Sequence, residues 1–424
     1  MADSARKDRQ LKRRHSAAFR LAGAALAALW IAVPPAAAMS GKPAHRAPAA
    51  SAPAASVATT EPDALLVKTL IAIKNNQLEG ALAELENVLK IYPNFRLAHL
   101  IKGDLLSARS QPLKAMGGAA GVPADRIAEL REEARVRLAR FQYERPVDRV
   151  PRYLVQLQND QKYALVVDTS KSTLYVFENH GGTARYLADY YITSGKNGID
   201  KIREGDKKTP VGVYHVTSSM PREKLADFYG VGAFPINYPN EWDRREGRKG
   251  SGIWLHGTPS DTFSRPPLAS DGCVVLTNRD LEAIRQRVQI GLTPVIISSG
   301  IEWVQPQAME SVREELGGVV EKWRRDWESL DTDRYLAHYS RSFNSESYDY
   351  KGFAAQKRQV NSGKQWVKVK LDKLSMFLYP GKERLAVVTF DQDYTSSNLQ
   401  NHMRKRQYWL KEGASWKIIH EGGA

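Results

Sequence analysis

One cysteine in 424 residues, Cys273, forbids an internal disulfide. Every domain this chain forms must therefore hold itself together by apolar burial, hydrogen bonds and charge. The constraint is sharper because the N-terminus reads as an export segment, and exported chains commonly cross-link themselves. Arg6, Lys7, Arg9, Lys12, Arg13, Arg14 and Arg20 precede an apolar run over 21–33. Ala36, Ala37 and Ala38 then offer a small-residue cleavage site before Met39. The apolar run is short beside the ~20 residues that span a bilayer. The expectation is a signal peptide over 1–38, cleaved near Ala38. A free thiol sent into an oxidising compartment is either buried and inert or kept for its reactivity.

The formal charge of +15 suggests nucleic acid until it is located. Residues 1–38 hold seven basic and two acidic side chains, and the remaining excess is dispersed with Asp and Glu interleaved. No long basic run survives outside the N-terminus, so no nucleic-acid partner is expected. Residues 39–60 are Ala, Pro, Ser and Thr with almost no large apolar side chain, the composition of a flexible linker. Helical spacing begins with Leu66, Leu70 and Ile73 and returns at Leu78, Leu82, Leu85 and Leu89. Pro93 interrupts it, and Leu97, Leu100 and Leu105 continue a third helix with Gly103 inside. Residues 123–142 supply a fourth. The order Asn75-Asn76-Gln77, Ala81, Pro93, Ala98, Gly103 resembles one degenerate tetratricopeptide (TPR) repeat, so 61–145 is expected to be a helical TPR-like region. One repeat cannot bury its own face. It should pack as a cap on the β-rich region beyond it, with partner binding as the second reading.

Near Pro151 the periodicity changes to that of strands. Residues 163–168 and 173–177 flank Thr169-Ser170-Lys171-Ser172, a hairpin signal. Further strands are expected at 186–193, 212–217, 253–256, 272–276 and 294–298, with one helix over 278–289, giving a β-rich unit over 152–300. Beyond it, 312–330 reads as an amphipathic helix carrying Trp323 and Trp327, residues expected in a core rather than a ligand box. A second helix over 332–339 precedes strands at 367–371, 385–390, 407–410 and 416–419. Helices followed by a curved antiparallel sheet resemble the NTF2-like α+β cone, here over 307–424, a fold that implies no activity by itself. The short polar connection over 300–307 predicts that this region is separable.

The chemistry concentrates in Gly252-Ile253-Trp254-Leu255-His256-Gly257 and, after a loop, Ser270-Asp271-Gly272-Cys273-Val274. An unperturbed thiol has a pKa of ~8.5 and needs a base near neutral pH. His256 and Cys273 each end a predicted strand, so adjacent strands can bring imidazole and sulfur together. Gly272 leaves the backbone before the thiol open, and amides of its turn can point at an oxyanion. For either residue alone, a packed core His or an inert Cys would be the default.

Together these residues resemble the L,D-transpeptidase (YkuD) catalytic domain, which carries His-Gly, a loop, then Ser/Thr-x-Gly-Cys. Lys207-Lys208-Thr209-Pro210-Val211-Gly212-Val213-Tyr214 and Tyr191-Ile192-Thr193-Ser194-Gly195 are similar to two further strand motifs of that family. The fold class expected is thus multidomain: a helical TPR-like region, a β-rich YkuD-type catalytic domain and an α+β NTF2-like domain. The resemblance implies a periplasmic or cell-envelope enzyme acting on peptidoglycan stem peptides, with Cys273 as nucleophile and His256 as base, and with other cell-wall proteins as partners of the helical or NTF2-like region. Gly272, Ser270 and Gly257 would form the oxyanion and substrate turn. It implies no cofactor, and His256 with Cys273 supplies too few ligands for zinc. One departure stands out: Val275 occupies a position where most of the family has Arg or Asn. Pro239-Asn240-Glu241-Trp242-Asp243 resembles the branch of murein hydrolases and cell-shape carboxypeptidases. The readings are L,D-transpeptidase first, L,D-carboxypeptidase or related murein hydrolase second, and a non-catalytic wall-binding protein third. Val275 is expected to alter the choice of acceptor. His180 and His215 are expected to be structural, Asp271 to move no proton, and the loop over 195–208 to be a solvated flap.

Overall fold

The structure, a computed structural model, describes residues 62–424 apart from 111, 113–114, 119–122, 144 and 382–383. The expected signal peptide and linker lie outside the described residues. Among the described residues no helix is long and apolar enough to cross a membrane.

Four helices come first, Pro62–Lys74, Leu78–Ile91, Arg96–Ser107 and Ala124–Gln142. Asn76 has φ +56° and makes the tight turn between the first two, a conformation that Asn tolerates better than most side chains. Leu66, Ala81, Leu85, Val88, Leu97 and Ala98 meet in a small core with no exposed surface.

The strand Tyr163–Asp168 is a continuous apolar run because it is covered on both faces. It lies in a five-stranded sheet of order Thr183–Tyr191, Thr173–His180, Tyr163–Asp168, Pro294–Ser298, Gly212–His215. Leu165, Val167, Leu174, Val176, Val295 and Ile297 face a second, smaller sheet built from Val274–Val275, Trp254–His256, Gly232–Pro235 and Met220–Pro221. Their alternates Ala164, Val166, Phe177 and Ile296 face the other way, into a core shared with the C-terminal region.

That region opens with the helices Pro306–Glu328, Thr332–Leu336 and Tyr350–Ser362. An antiparallel meander completes it: Val367–Leu378, Leu385–Ser396, Leu399–Glu412 and Ser415–Gly423. Trp323 (0% exposed) and Trp327 (6%) are core residues, as their spacing implies. The separability expected of this region meets a different architecture. Leu154–Gln156, grouped by sequence with the catalytic unit, adds a fifth strand to the C-terminal sheet through Phe377↔Leu154 and Met376↔Gln156. The Pro239–Asp243 motif is a docking latch. Asn240 and Asp243 form a capping box, and Asn240 Nδ2 donates to Val213 O and Tyr379 Oη. Glu241 binds Arg406 at 2.9 Å and accepts from Tyr408 Oη at 2.8 Å. Trp242 stacks on Tyr408.

Candidate active site

Two short strands position the Cys and the His: His256 ends one, and Cys273 directly precedes the other. Trp254–His256 runs parallel to Val274–Val275, with Leu255 opposite Val274 and His256 opposite Val275. Leu255 and Val274 are fully buried in the inter-sheet core, so apolar burial fixes the register. Cys273 lies in the bend directly before Val274, where the Trp254 main chain of the neighbouring strand bears on its sulfur.

His256 is 1% exposed, and burial pushes its imidazole down to about 4, with Arg265 adding to the effect and the bond to Gly257 opposing it. Phe228 and Tyr229 box the ring, their centroids 5.7 and 5.1 Å away. Nδ1 lies 2.7 Å from the Gly257 carbonyl oxygen. A carbonyl only accepts, so Nδ1 carries the hydrogen and Nε2 keeps its lone pair. The group that orients His256 is therefore a backbone carbonyl. Gly257 must be glycine, because a Cβ there would come within 2.1 Å of Asn278 Oδ1. Asn278 accepts from the amides of Val231 and Thr258 and donates to Thr258 O, tying together the chain on both sides of the imidazole.

Cys273 is half-buried, and burial pushes its thiol up to about 11 although Arg265 and Lys201 pull it down. Sγ donates to Gly252 O at 3.3 Å, and among the described residues no hydrogen bond joins it to His256. With the thiol raised and the imidazole lowered, both groups are neutral at pH 7. The resting pair is thiol and imidazole rather than an ion pair.

The preceding turn is braced from within. Ser270 Oγ accepts from Gly272 N–H at 3.1 Å and donates to Cys273 O at 2.7 Å. Thr209 Oγ1 accepts from Gly195 N–H and donates to Gly272 O at 3.0 Å. Gly272 has φ +122°, and a Cβ would sit 2.7 Å from Lys208 O, so close backbone approach requires glycine here. Its amide is occupied, whereas the Cys273 N–H makes no hydrogen bond among the described residues.

Val275 sits in the strand Val274–Val275 beside Thr193. It is 2% exposed and exchanges two 2.9 Å backbone hydrogen bonds with Thr193. The loop over 195–208 is more than a solvated flap. Lys201, 3% exposed, binds Asp206 at 2.8 Å. Against burial, Lys201 and the amides of Ile202, Arg203 and Lys208 hold the Asp206 carboxyl at about 2. Asp271 pairs with Lys196 at 2.9 Å. His180 pairs with Glu178 on the surface, and His215 lines a cavity against the C-terminal sheet with Arg404 and Arg406.

Sequence reasoning missed Arg265 and Phe228, which lie in segments whose course no periodicity reveals, and Asn278, whose side chain leaves the start of an expected helix to bond distant amides. It also missed how the helical region grips residues 258–267. Phe263 sits against Tyr92 and Phe95, with centroids 4.4 and 4.8 Å apart, and its N–H donates to Asn94 O. Asn94 Nδ2 donates to Ser260 O, Arg96 to Thr262 Oγ1, and Ser264 Oγ to Glu133 at 2.6 Å. Glu133 is in turn held by Arg137, whose guanidinium lies 3.9 Å from the Tyr191 ring centroid.

Residues 162–297 match the L,D-transpeptidase catalytic domain (YkuD), and residues 315–422 match the Cds6 C-terminal NTF2-like domain. A protein named putative L,D-transpeptidase YafK, from Escherichia coli K12, is 30% identical over 138 residues, covering 32% of this chain and 50% of YafK. The chain thus spans about half the length of the curated relatives it matches. Among solved structures, Bd1075 of Bdellovibrio bacteriovorus is 31% identical with a TM-score of 0.58, covering 65% of this chain and 98% of that one. The helical cell shape determining protein Pgp2 of Campylobacter jejuni is 27% identical with a TM-score of 0.56, covering 64% and 95%.

Proposed function

The chain belongs to the L,D-transpeptidase (YkuD) family, and on that footing we propose that it is an exported cysteine acyltransferase acting on peptidoglycan tetrapeptide stems. The observation that carries this reading is the fixed tautomer of His256: Nδ1–H is spent on Gly257 O, which leaves the Nε2 lone pair as a base on a strand paired in parallel with the one that Cys273 directly precedes. The Cys273 thiol turns from Gly252 O and gives its proton to Nε2 as sulfur attacks the carbonyl of the third stem residue. A C–S bond forms, the oxyanion takes the Cys273 N–H, and the C–N bond to the terminal residue then breaks. The imidazolium returns its proton to the departing amine. A second stem's amine resolves the thioester into a crosslink, or water resolves it into a trimmed tripeptide.

The neutral resting pair suits this order. A permanent thiolate would be consumed by oxidants in the envelope, whereas this thiol ionises only when substrate arrives. Incubating the protein with purified tetrapeptide muropeptides and weighing the products tests the reading. Loss of the terminal residue, as tripeptide or crosslinked dimer, is expected from wild type and absent from Cys273→Ala. Unchanged tetrapeptide with a folded wild-type protein would refute it.

A further inference from the structure

Arg265 sits beside the Cys–His pair without a carboxylate of its own. Its main-chain carbonyl accepts from Tyr191 Oη at 2.9 Å and from Thr193 Oγ1 at 3.0 Å. Thr193 is the residue paired with Val275, two positions beyond Cys273. The guanidinium then extends over Phe228, 4.4 Å from its ring centroid, and Phe228 is the ring lying against His256. Backbone anchor and stacked side chain thus bracket the reacting pair. Among the described residues Arg265 makes no ion pair, although it is only partly exposed. The acid whose field reaches it, Asp271, is already bound to Lys196 at 2.9 Å. A partly desolvated guanidinium without an anion is costly to keep, and its planar fork fits a carboxylate. Its loop is held in place from the helical side by Phe263 and Ser264, so the charge is pre-aimed.

We propose that Arg265 is the specificity-determining residue of the site, binding the free C-terminal carboxylate of the residue that leaves when the thioester forms. The inference rests on the acyl-transfer reading above. It makes the enzyme one that removes or exchanges a terminal residue, and a poor catalyst on stems whose corresponding carbonyl is linked to a group without that carboxylate.

The test compares a tetrapeptide stem ending in a carboxylate with the same stem ending in an amide, using wild type, Arg265→Ala and Arg265→Lys in the full chain. A charged hydrogen bond of this kind is worth about ten- to a hundredfold. Wild type should prefer the carboxylate substrate by that factor in kcat/KM. Arg265→Ala should lose the preference by slowing on the carboxylate substrate alone, and Arg265→Lys should recover part of it. Intact-mass labelling of Cys273 by iodoacetamide, with a melting temperature near wild type, shows that each variant is folded. A preference that survives in a folded Arg265→Ala, or a variant slowed equally on both substrates, would overturn the inference and leave the acyl-transfer reading standing. No turnover of either substrate by wild type would overturn that reading and the inference with it.

Discussion

At the scale of single residues, the pair of opposed pKa shifts sets a pH signature. Burial raises Cys273 to about 11 and lowers His256 to about 4, so between those values both are neutral. The thiolate fraction should then rise about tenfold per pH unit up to the thiol's pKa. Alkylation of the free enzyme by iodoacetamide is expected to climb steadily from pH 6 to pH 10. A rate already at plateau below pH 7 would mean a resting thiolate–imidazolium pair instead. His256→Ala should keep the fold and still be labelled at high pH, while turnover at pH 7 falls about 10²–10⁴-fold, the usual worth of a positioned base. Val275 invites a different test than its sequence position suggested. Arginine there would place an unpaired charge in a buried strand, and the expected result is a loss of about 3–5 kcal/mol of stability in denaturant melts. A stable Val275→Arg with an altered ratio of crosslinked to trimmed product would restore the acceptor role.

At the scale of elements, the helical region acts on the site through the loop over 258–267. Phe263→Ala removes a ring packed between Tyr92 and Phe95, at a cost of about 2–3 kcal/mol for a partly buried aromatic. The expected sign is a new cleavage site for a probing protease within 258–267, together with lowered kcat/KM, while the core melts as before. A variant with wild-type protease resistance and activity would show that the helices merely sit there. The same loop explains what sequence could not reveal. Strands and helices whose apolar positions recur were legible: Leu85 in its helix, Leu165 and Val167 in their strand, Trp323 and Trp327 in theirs. Cys273 and His256 were legible because a lone thiol after Gly272 lies close in sequence to a His-Gly. Arg265 was not, since nothing about one arginine in a Pro-containing loop says where its side chain goes. Residues 399–406 were also missed as strand. Leu-Gln-Asn-His-Met-Arg-Lys-Arg reads as polar coil, yet every one of them pairs with Leu385–Ser396 or lies within the long hairpin it forms.

At the scale of the whole molecule, the catalytic sheet is the middle layer of a sandwich. One face of it packs on the small sheet that carries His256, and the other supplies Ala164, Val166, Phe177 and Ile296 to the core it shares with the NTF2-like domain. Sequence could read the two patterns but could not read that they share a core, because contact across distant segments leaves no period. A chain stopped after Gly300 would expose that face and leave Leu154–Gln156 without its partner strand. Such a truncation is expected to be insoluble or molten, judged by yield and by the absence of a cooperative melt; a soluble, cooperatively folding product would show the two domains to be independent. The helical region grips the catalytic unit through the loop over 258–267 and through Asp189 and Tyr191. In the acyl transfer proposed above, Cys273 takes an acyl group from a stem peptide and releases the terminal residue. The most direct measurement of that transfer is the intact mass of the full chain, quenched in acid during turnover of a tetrapeptide stem. The expected result is an adduct equal to the stem less its terminal residue, located on Cys273 by peptide mapping and lost in Cys273→Ala. Turnover with no adduct at any time point, or with an adduct that persists in Cys273→Ala, would contradict it.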